Sequence, residues 1–203
     1  MDHPGKRVYI LMGSPRKKGN TIQLLAPFLE ELTAHGCQCE VNWLYDKSLE
    51  PCLACRACQQ DWSGFHCCRQ DDMQEIFDRI LACDLLLLAT PIYCWYCTPP
   101  MKAVLDRLMY GMNKFYGEER GPSLWAGKPV ALFTTCGYEA EKGADLWEAG
   151  MRRYCKHSQL RYLGAYTERD LGYKHVFMGE DKAARSRAFA RQLLDMDWKE
   201  AKA

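Results

Sequence analysis

The chain is expected to fold as an α/β protein, a parallel sheet with helices on both faces, and three observations predict this. Short apolar runs alternate five times with helical patterns. The runs are apolar on both faces, as in Leu85-Leu86-Leu87-Leu88-Ala89, which suits strands covered from two sides. The first run, Val8 to Met12, gives way at once to a polar, glycine-bearing loop and then to a helix. With 203 residues, 48% of them hydrophobic, the chain is long enough for one well-packed core and short for two. It is therefore read as a single domain over residues 1–203.

The elements follow in order. Residues 7–12 are too short and too apolar for a surface helix and read as a buried strand. The helix over about 20–35 is carried by Ile22, Leu24, Leu25, Phe28 and Leu29, with Asn20 or Thr21 as its cap. A strand at 39–45 and a helix at 72–82 come next. The strand at 84–90 leads to a helix over 98–114, whose Met101, Val104, Leu105 and Leu108 recur at helical spacing and are assigned to the core. Strands at 129–134 and 160–165 alternate with helices at 141–155 and 180–196. The irregular pieces are a Cys-rich stretch near 47–71, residues 115–128, and 166–179.

In such a sheet ligands sit at the carboxyl ends of strands near a topological switch point. The segments Ser14–Thr21, Pro91–Thr98 and Thr134–Tyr138 should therefore converge. The first has loop amides, hydroxyls and a positive helix end to face one anion, as a phosphate cradle does. An ordinary strand-to-helix turn with lysines in solvent is the alternative reading. The loop lacks the Gly-x-Gly-x-x-Gly spacing of a dinucleotide site and the Gly-Lys-Ser/Thr ending of a P-loop. The second segment is rich in aromatics where a planar ring would lie, and the third reads equally well as a plain turn.

The formal net charge of +1 and the lack of a basic face give no nucleic-acid footprint. No apolar run approaches the ~20 residues of a membrane span, and no export signal is recognised, so a cytoplasmic protein away from membranes is expected. Its twelve cysteines are then thiols, metal ligands or redox groups rather than disulfides. Cys37, Cys39, Cys83 and Cys155 are scattered and read as small core or surface residues. Cys52-x-x-Cys55-x-x-Cys58 is different: three thiols on one short loop, which a fourth from Cys67 or Cys68 would complete to the four-sulfur ligation of a [4Fe–4S] cube. A metal-free loop, a four-thiolate zinc site and a disulfide compete with that reading. Cys94 and Cys97 have the spacing of a dithiol pair, with nothing else in the sequence to support one.

Taken together, Gly13-Ser14-Pro15-Arg16 with Gly19-Asn20-Thr21, Pro51-Cys52 through Cys58, Asp71-Asp72-Met73, Thr90-Pro91-Ile92-Tyr93, and Met101-Lys102 with Asp106-Arg107 resemble the flavodoxin-like NADPH-dependent FMN reductase and iron–sulfur flavoprotein family. The resemblance covers roughly residues 7–165. It implies a doubly wound five-stranded sheet of order 2-1-3-4-5 that binds FMN. Carried over by position, Ser14, Arg16, Lys18, Gly19, Asn20 and Thr21 would hold the phosphate. Pro91, Ile92, Tyr93, Cys94, Trp95 and Tyr96 would border the isoalloxazine ring, with Thr135, Cys136, Gly137 and Tyr138 at its other edge. Cys52, Cys55, Cys58 and Cys67 would be the metal ligands. The spacer of eight residues from Gln59 to His66 is longer than the family's compact pattern, and Cys94-Trp95-Tyr96-Cys97 stands where smaller residues are common.

The function so implied is an FMN-dependent oxidoreductase that takes a hydride from NAD(P)H and reduces a quinone or another small electrophile. The flavin carries that chemistry, so no residue is assigned as a catalytic acid or base. The alternative is an iron–sulfur flavoprotein that transfers electrons between ferredoxin-like donors and acceptors. A homodimer or homotetramer is expected, because Trp95, Tyr96 and the apolar residues of 109–125 would otherwise leave an exposed patch.

Overall fold

A computed structural model of the protein describes residues 5–198. The elements run β1 (Arg7–Met12), α1 (Asn20–Ala34), β2 (Gln38–Trp43), α2 (Met73–Ala82), β3 (Leu85–Pro91), α3 (Pro99–Met112), β4 (Pro129–Cys136), α4 (Ala140–Gly143), α5 (Asp145–His157), β5 (Arg161–Arg169) and α6 (Glu180–Leu194). Two short 3₁₀ turns, Leu44–Asp46 and Ala57–Gln59, lie between β2 and α2. The five strands form one sheet, all parallel, in the expected order β2-β1-β3-β4-β5.

The pleat explains why the strand runs are apolar throughout. Val8, Ile10, Met12, Leu85, Leu87, Ala89, Ala131 and Phe133 face α1 and α6, where Leu24, Leu25, Phe28, Phe189 and Leu193 close a core. Their neighbours Tyr9, Leu11, Leu86, Leu88, Val130 and Leu132 face α2, α3 and α5. Both faces are buried, so alternation sends every second residue into one core or the other. Met101, Val104, Leu105 and Leu108 are fully buried in the second core, as their spacing implies. Among the described residues no helix is long and apolar enough to cross a membrane.

Four expectations are corrected. β4 continues through Thr135 and Cys136, and β5 reaches Arg169, because the two strands stay paired to the Cys136–Arg169 register position. Thr134–Tyr138, for which a plain turn was an equal reading, is therefore mostly strand. The helix expected over 141–155 is two pieces: a Cβ on Gly143 would stand 2.9 Å from Cys136 Sγ, and the chain breaks at Ala144 where it presses against the end of β4. The cap of α1 is Gly19, with no side-chain cap bond, rather than Asn20 or Thr21. The Thr21 hydroxyl instead lies 2.9 Å from that of Thr135. Finally, Met112 and Trp125 are buried and Phe115, Tyr116 and Leu124 half-buried, so residues 109–125 leave no exposed apolar patch. They pack under the Cys-rich loop, which the sequence pattern does not reveal.

Candidate functional site

The strand order reverses between β1 and β3, and the three segments expected to converge meet at the carboxyl ends of these strands and of β4. Gly13 N–H donates to Ala89 O at 2.7 Å, and Ile92 N–H donates to Thr135 O at 2.8 Å. Gly13 is held close: a Cβ there would lie 2.8 Å from Thr98 Oγ1 and 2.9 Å from Thr90 Oγ1. Only glycine lets the loop leave β1 against these two threonines. Thr90 and Thr98 belong to the expected segments, but their role against Gly13 depends on a contact between strands that the sequence does not show.

From Gly13 the loop turns tightly. Ser14 Oγ accepts from Arg16 N–H at 3.3 Å, and Gly19 N–H donates to Arg16 O at 3.0 Å. A Cβ on Gly19 would meet Arg16 Cβ at 2.9 Å. The chain then enters α1, whose first-turn amides at Asn20, Thr21 and Ile22 have no carbonyl one turn back to pair with. Gly19 brings no side chain over them. The Ser14 and Thr21 side chains are buried beside this helix end, while Arg16 and Lys18 are exposed on the loop. Lys17 turns away, pairing with Asp46 and lying 4.0 Å over the Trp43 ring. Open amides, two hydroxyls and flanking cations form a donor set that suits a phosphate dianion.

After β3 the chain makes a two-residue hairpin. Tyr93 N–H donates to Tyr96 O at 2.8 Å and Tyr96 N–H returns to Tyr93 O at 3.0 Å. Cys94 (φ 49°) and Trp95 (φ 66°) both take left-handed backbone, the φ > 0 pair that a tight hairpin demands and that glycine or asparagine ordinarily supplies. The turn is held by Trp95 Nε1, which donates to Lys142 O at 3.0 Å, and by stacking of Trp95 on Tyr138 at 6.1 Å. Tyr93, Trp95, Tyr96 and Tyr138 are 44–59% exposed, forming an aromatic rim beyond the carboxyl ends of β3 and β4. Cys94 sits at the tip, but Cys97 is buried in the core and burial pushes its thiol up to about 12. The two do not behave as a dithiol pair.

The cysteine loop docks on the second half of α3. Ala54, Arg56 and His66 take positive φ, coiling the loop back on itself. Cys52, Cys55, Cys58, Cys67 and Cys68 line one small cavity of about 20 Å³ together with Phe65, Arg69, Arg107 and Tyr110. Cys55 and Cys68 sulfurs lie 3.3 Å apart, while Cys67 Sγ accepts from Arg107 Nη2 at 3.2 Å. The Ala57 amide and the neighbouring Cys68 thiol lower the Cys55 thiol below its usual range, whereas burial raises Cys58. Among the described residues no three His, Cys, Asp or Glu side chains are gathered as for a single metal ion.

The insertion from Gln59 to His66 is an anchor to the body of the fold. Gln59 Nε2 donates to Asn113 O at 3.1 Å and to Tyr110 O, and its Oε1 accepts from Tyr116 N–H at 2.9 Å. Phe65 packs on Phe77 at 5.0 Å and so closely on Gly111 that a Cβ there would overlap its ring. Arg107 pairs with Asp71, the two side chains 1% and 3% exposed, and so ties the Asp-Asp-Met segment to α3. Asp71 and Arg107 belong to the motifs that carry the resemblance, which gives them no role. Lys114, buried beneath the loop, it did not single out. A charged residue within Met112-Asn113-Lys114-Phe115 was the available signal.

The model of the NADPH-dependent FMN reductase family matches residues 6–146. The chain is similar to an iron–sulfur flavoprotein of Methanocaldococcus jannaschii, 32% identical over 101 residues covering 50% of this chain and 51% of that protein. It is similar also to an iron–sulfur flavoprotein of Archaeoglobus fulgidus, 33% identical over 124 residues covering 59% and 55%. The chain thus spans about half the length of the curated relatives it matches. Among solved structures, the NAD(P)H:quinone oxidoreductase from Methanothermobacter marburgensis shares the fold, with a TM-score of 0.68, 21% identity and coverage of 95% and 99%.

Proposed function

The chain belongs to the NADPH-dependent FMN reductase family, and from that premise we propose that it is a cytoplasmic FMN-dependent oxidoreductase whose crevice between β1 and β3 holds the flavin. The observation that carries the reading is the loop from Gly13 to Thr21, folded against Thr90 and Thr98 with the first amides of α1 left open. Ser14, Asn20 and Thr21 would hold the phosphate at the helix end that Gly19 leaves uncovered, with Arg16 and Lys18 supplying positive charge at its rim. When bound, FMN supplies hydride chemistry at its N5, with NAD(P)H as donor and a quinone or another small electrophile as acceptor.

The chain's own part is positioning. Pro91, Ile92 and the 93–96 hairpin form one wall of the crevice. Thr135, Cys136, Gly137 and Tyr138 form the other, and the Ile92–Thr135 hydrogen bond fixes their spacing. Amides on both walls are available to a planar heterocycle, and the four exposed aromatic rings exclude water from whatever lies between them. No side chain is required to move a proton.

Flavin extraction tests the reading. The protein purified gently should release FMN and not FAD. Thr21→Val, which deletes one buried hydroxyl, should weaken FMN about tenfold, or ~1.4 kcal/mol. FAD in the extract, or no flavin after reconstitution, would overturn it.

A second reading, electron transfer between ferredoxin-like donors and acceptors, is favoured by the five cysteine sulfurs around one cavity. Their chemistry suits four-thiolate ligation of a [4Fe–4S] cluster by Cys52, Cys55, Cys58 and Cys67. The cavity has the volume of about one water, so the sulfurs must spread to admit a cluster. α3 carries both sites, its first residues at the crevice and Arg107 at the loop. A loaded loop without NAD(P)H turnover would select this reading over the first.

Self-association is proposed through the aromatic rim, since Tyr93, Trp95, Tyr96 and Tyr138 together expose an apolar surface that a second copy would cover. Sedimentation should give a dimer or tetramer of the 23.4 kDa chain, and Trp95→Ala should shift it toward monomer. A concentration-independent monomer mass for the native protein would exclude it.

A further inference from the structure

Lys114 lies two residues beyond α3 and is fully buried. Its Nζ donates to Cys58 O and to Gly64 O, each at 2.6 Å. These carbonyls bracket the insertion between Cys58 and Cys67. The lysine's own backbone is fixed as well, its N–H donating to Pro122 O at 2.9 Å and its carbonyl accepting from Gly121 N–H at 2.6 Å. Gly121 closes the box: a Cβ there would stand 2.7 Å from Lys114 Cβ and 2.6 Å from the Trp62 indole.

What the box lacks is a bonded counter-charge. Both acceptors are neutral carbonyls, and the carboxylate that acts on Lys114, the exposed Asp61 of the same insertion, attracts it without forming an ion pair. The other buried cation packed against this loop, Arg107 of α3, already has Asp71. Burial disfavours the ammonium and lowers its pKa, and the exposed Asp61 offsets this only in part, so an anion on the loop it supports would hold its charge. Neutral thiols provide none. Four thiolates around an iron–sulfur core carry net negative charge, and more of it when the core is reduced.

We infer that Lys114 is the positioning residue and built-in counter-charge of the cysteine loop, holding the backbone at Cys58 and Gly64 and stabilising an anionic four-thiolate iron–sulfur centre, most strongly in its reduced state. The inference rests on the metal reading of the loop given above. It also assigns a purpose to the long Gln59–His66 spacer, which reaches over the lysine and seals it from water. Arg107 acts in the same sense at Cys67 through its N–H to sulfur bond.

The test compares anaerobically prepared wild-type protein with Lys114→Met and Lys114→Arg. Lys114→Met should retain FMN, lose iron to a chelator several-fold faster, and show a lower midpoint potential for the cluster. Lys114→Arg should recover much of both. A purely structural lysine would alter iron retention but leave the potential in place. An unchanged potential in iron-loaded Lys114→Met therefore overturns the inference while the metal reading stands. Wild-type protein with FMN but without iron and acid-labile sulfide overturns the metal reading and this inference with it. If Lys114→Met does not fold, amine labelling of the wild-type protein decides: Lys114 should be protected when iron is bound and labelled several-fold faster after chelation. Equal protection in the two states would overturn the proposal.

Discussion

Replacing Asp71 with asparagine should destabilise the protein by about 3–5 kcal/mol at neutral pH, the typical cost of removing one partner from a buried ion pair. Asp71 and Arg107 are almost wholly buried. The carboxylate also accepts from the amides of Glu50 at 3.0 Å and Met73 at 3.2 Å. Asparagine keeps the shape and loses the charge, leaving the guanidinium with Glu50 O and Cys67 Sγ. Chemical denaturation measures the loss, and equal midpoints for the two proteins would refute it.

The same pair predicts a pH dependence. Burial alone would raise the Asp71 carboxyl, but the Arg107 hydrogen bond, the Glu50 and Met73 amides and the Arg107 charge outweigh it and hold it below its usual value. A lowered folded-state pKa means stability that is fully present above the unfolded value of about 3.9 and lost as pH falls through the folded one. The stability difference between wild type and Asp71→Asn should therefore be constant near neutrality and shrink below about pH 4. A difference that grew in acid would show the sign to be wrong.

The other large effect is expected from the paired cysteines. Cys67→Ser should reduce bound iron from about four atoms per chain to background, with loss of acid-labile sulfide and of the broad visible absorption beyond the flavin bands. FMN should remain, since its phosphate loop is built from separate segments. Cys58→Ser should do the same, and Cys68→Ser should leave iron in place. The distinction rests on Arg107, which holds the Cys67 sulfur toward the cavity through an N–H donor. Cys68 competes through its 3.3 Å contact with Cys55. The reverse outcome, iron lost from Cys68→Ser and kept in Cys67→Ser, would transfer the fourth ligand to Cys68. Iron at background in the wild type would leave a metal-free loop.

Much of the fold was legible in the chain because its signals are local. Each strand is a short apolar run, each helix an apolar stripe, and both repeat within a window of a dozen residues. Alternation of the two implies a parallel sheet, and a parallel sheet directs attention to the loops after β1, β3 and β4. Those loops do meet, as the Gly13–Ala89 and Ile92–Thr135 hydrogen bonds show. The cysteine run was legible for the same reason, since three thiols at a fixed short spacing need no partner to be noticed.

What the sequence could not convey depends on residues far apart in the chain. Lys114 meets Cys58 across 56 residues and Arg107 meets Asp71 across 36. No periodicity connects such positions. The cap of α1 is Gly19, while the Thr21 hydroxyl is paired with Thr135 of β4. The helix after β4 broke at Ala144 because Gly143 had to pass Cys136. Cys94 and Trp95 adopt a backbone that their own preferences oppose, held there by Lys142 and Tyr138. Local propensity and pattern determined which elements form and in what order they succeed one another. Packing between elements alone decided where each one stops, which cysteines face a common cavity, and which buried cation lies beneath them, because those outcomes depend on contacts that exist only once the chain has closed on itself.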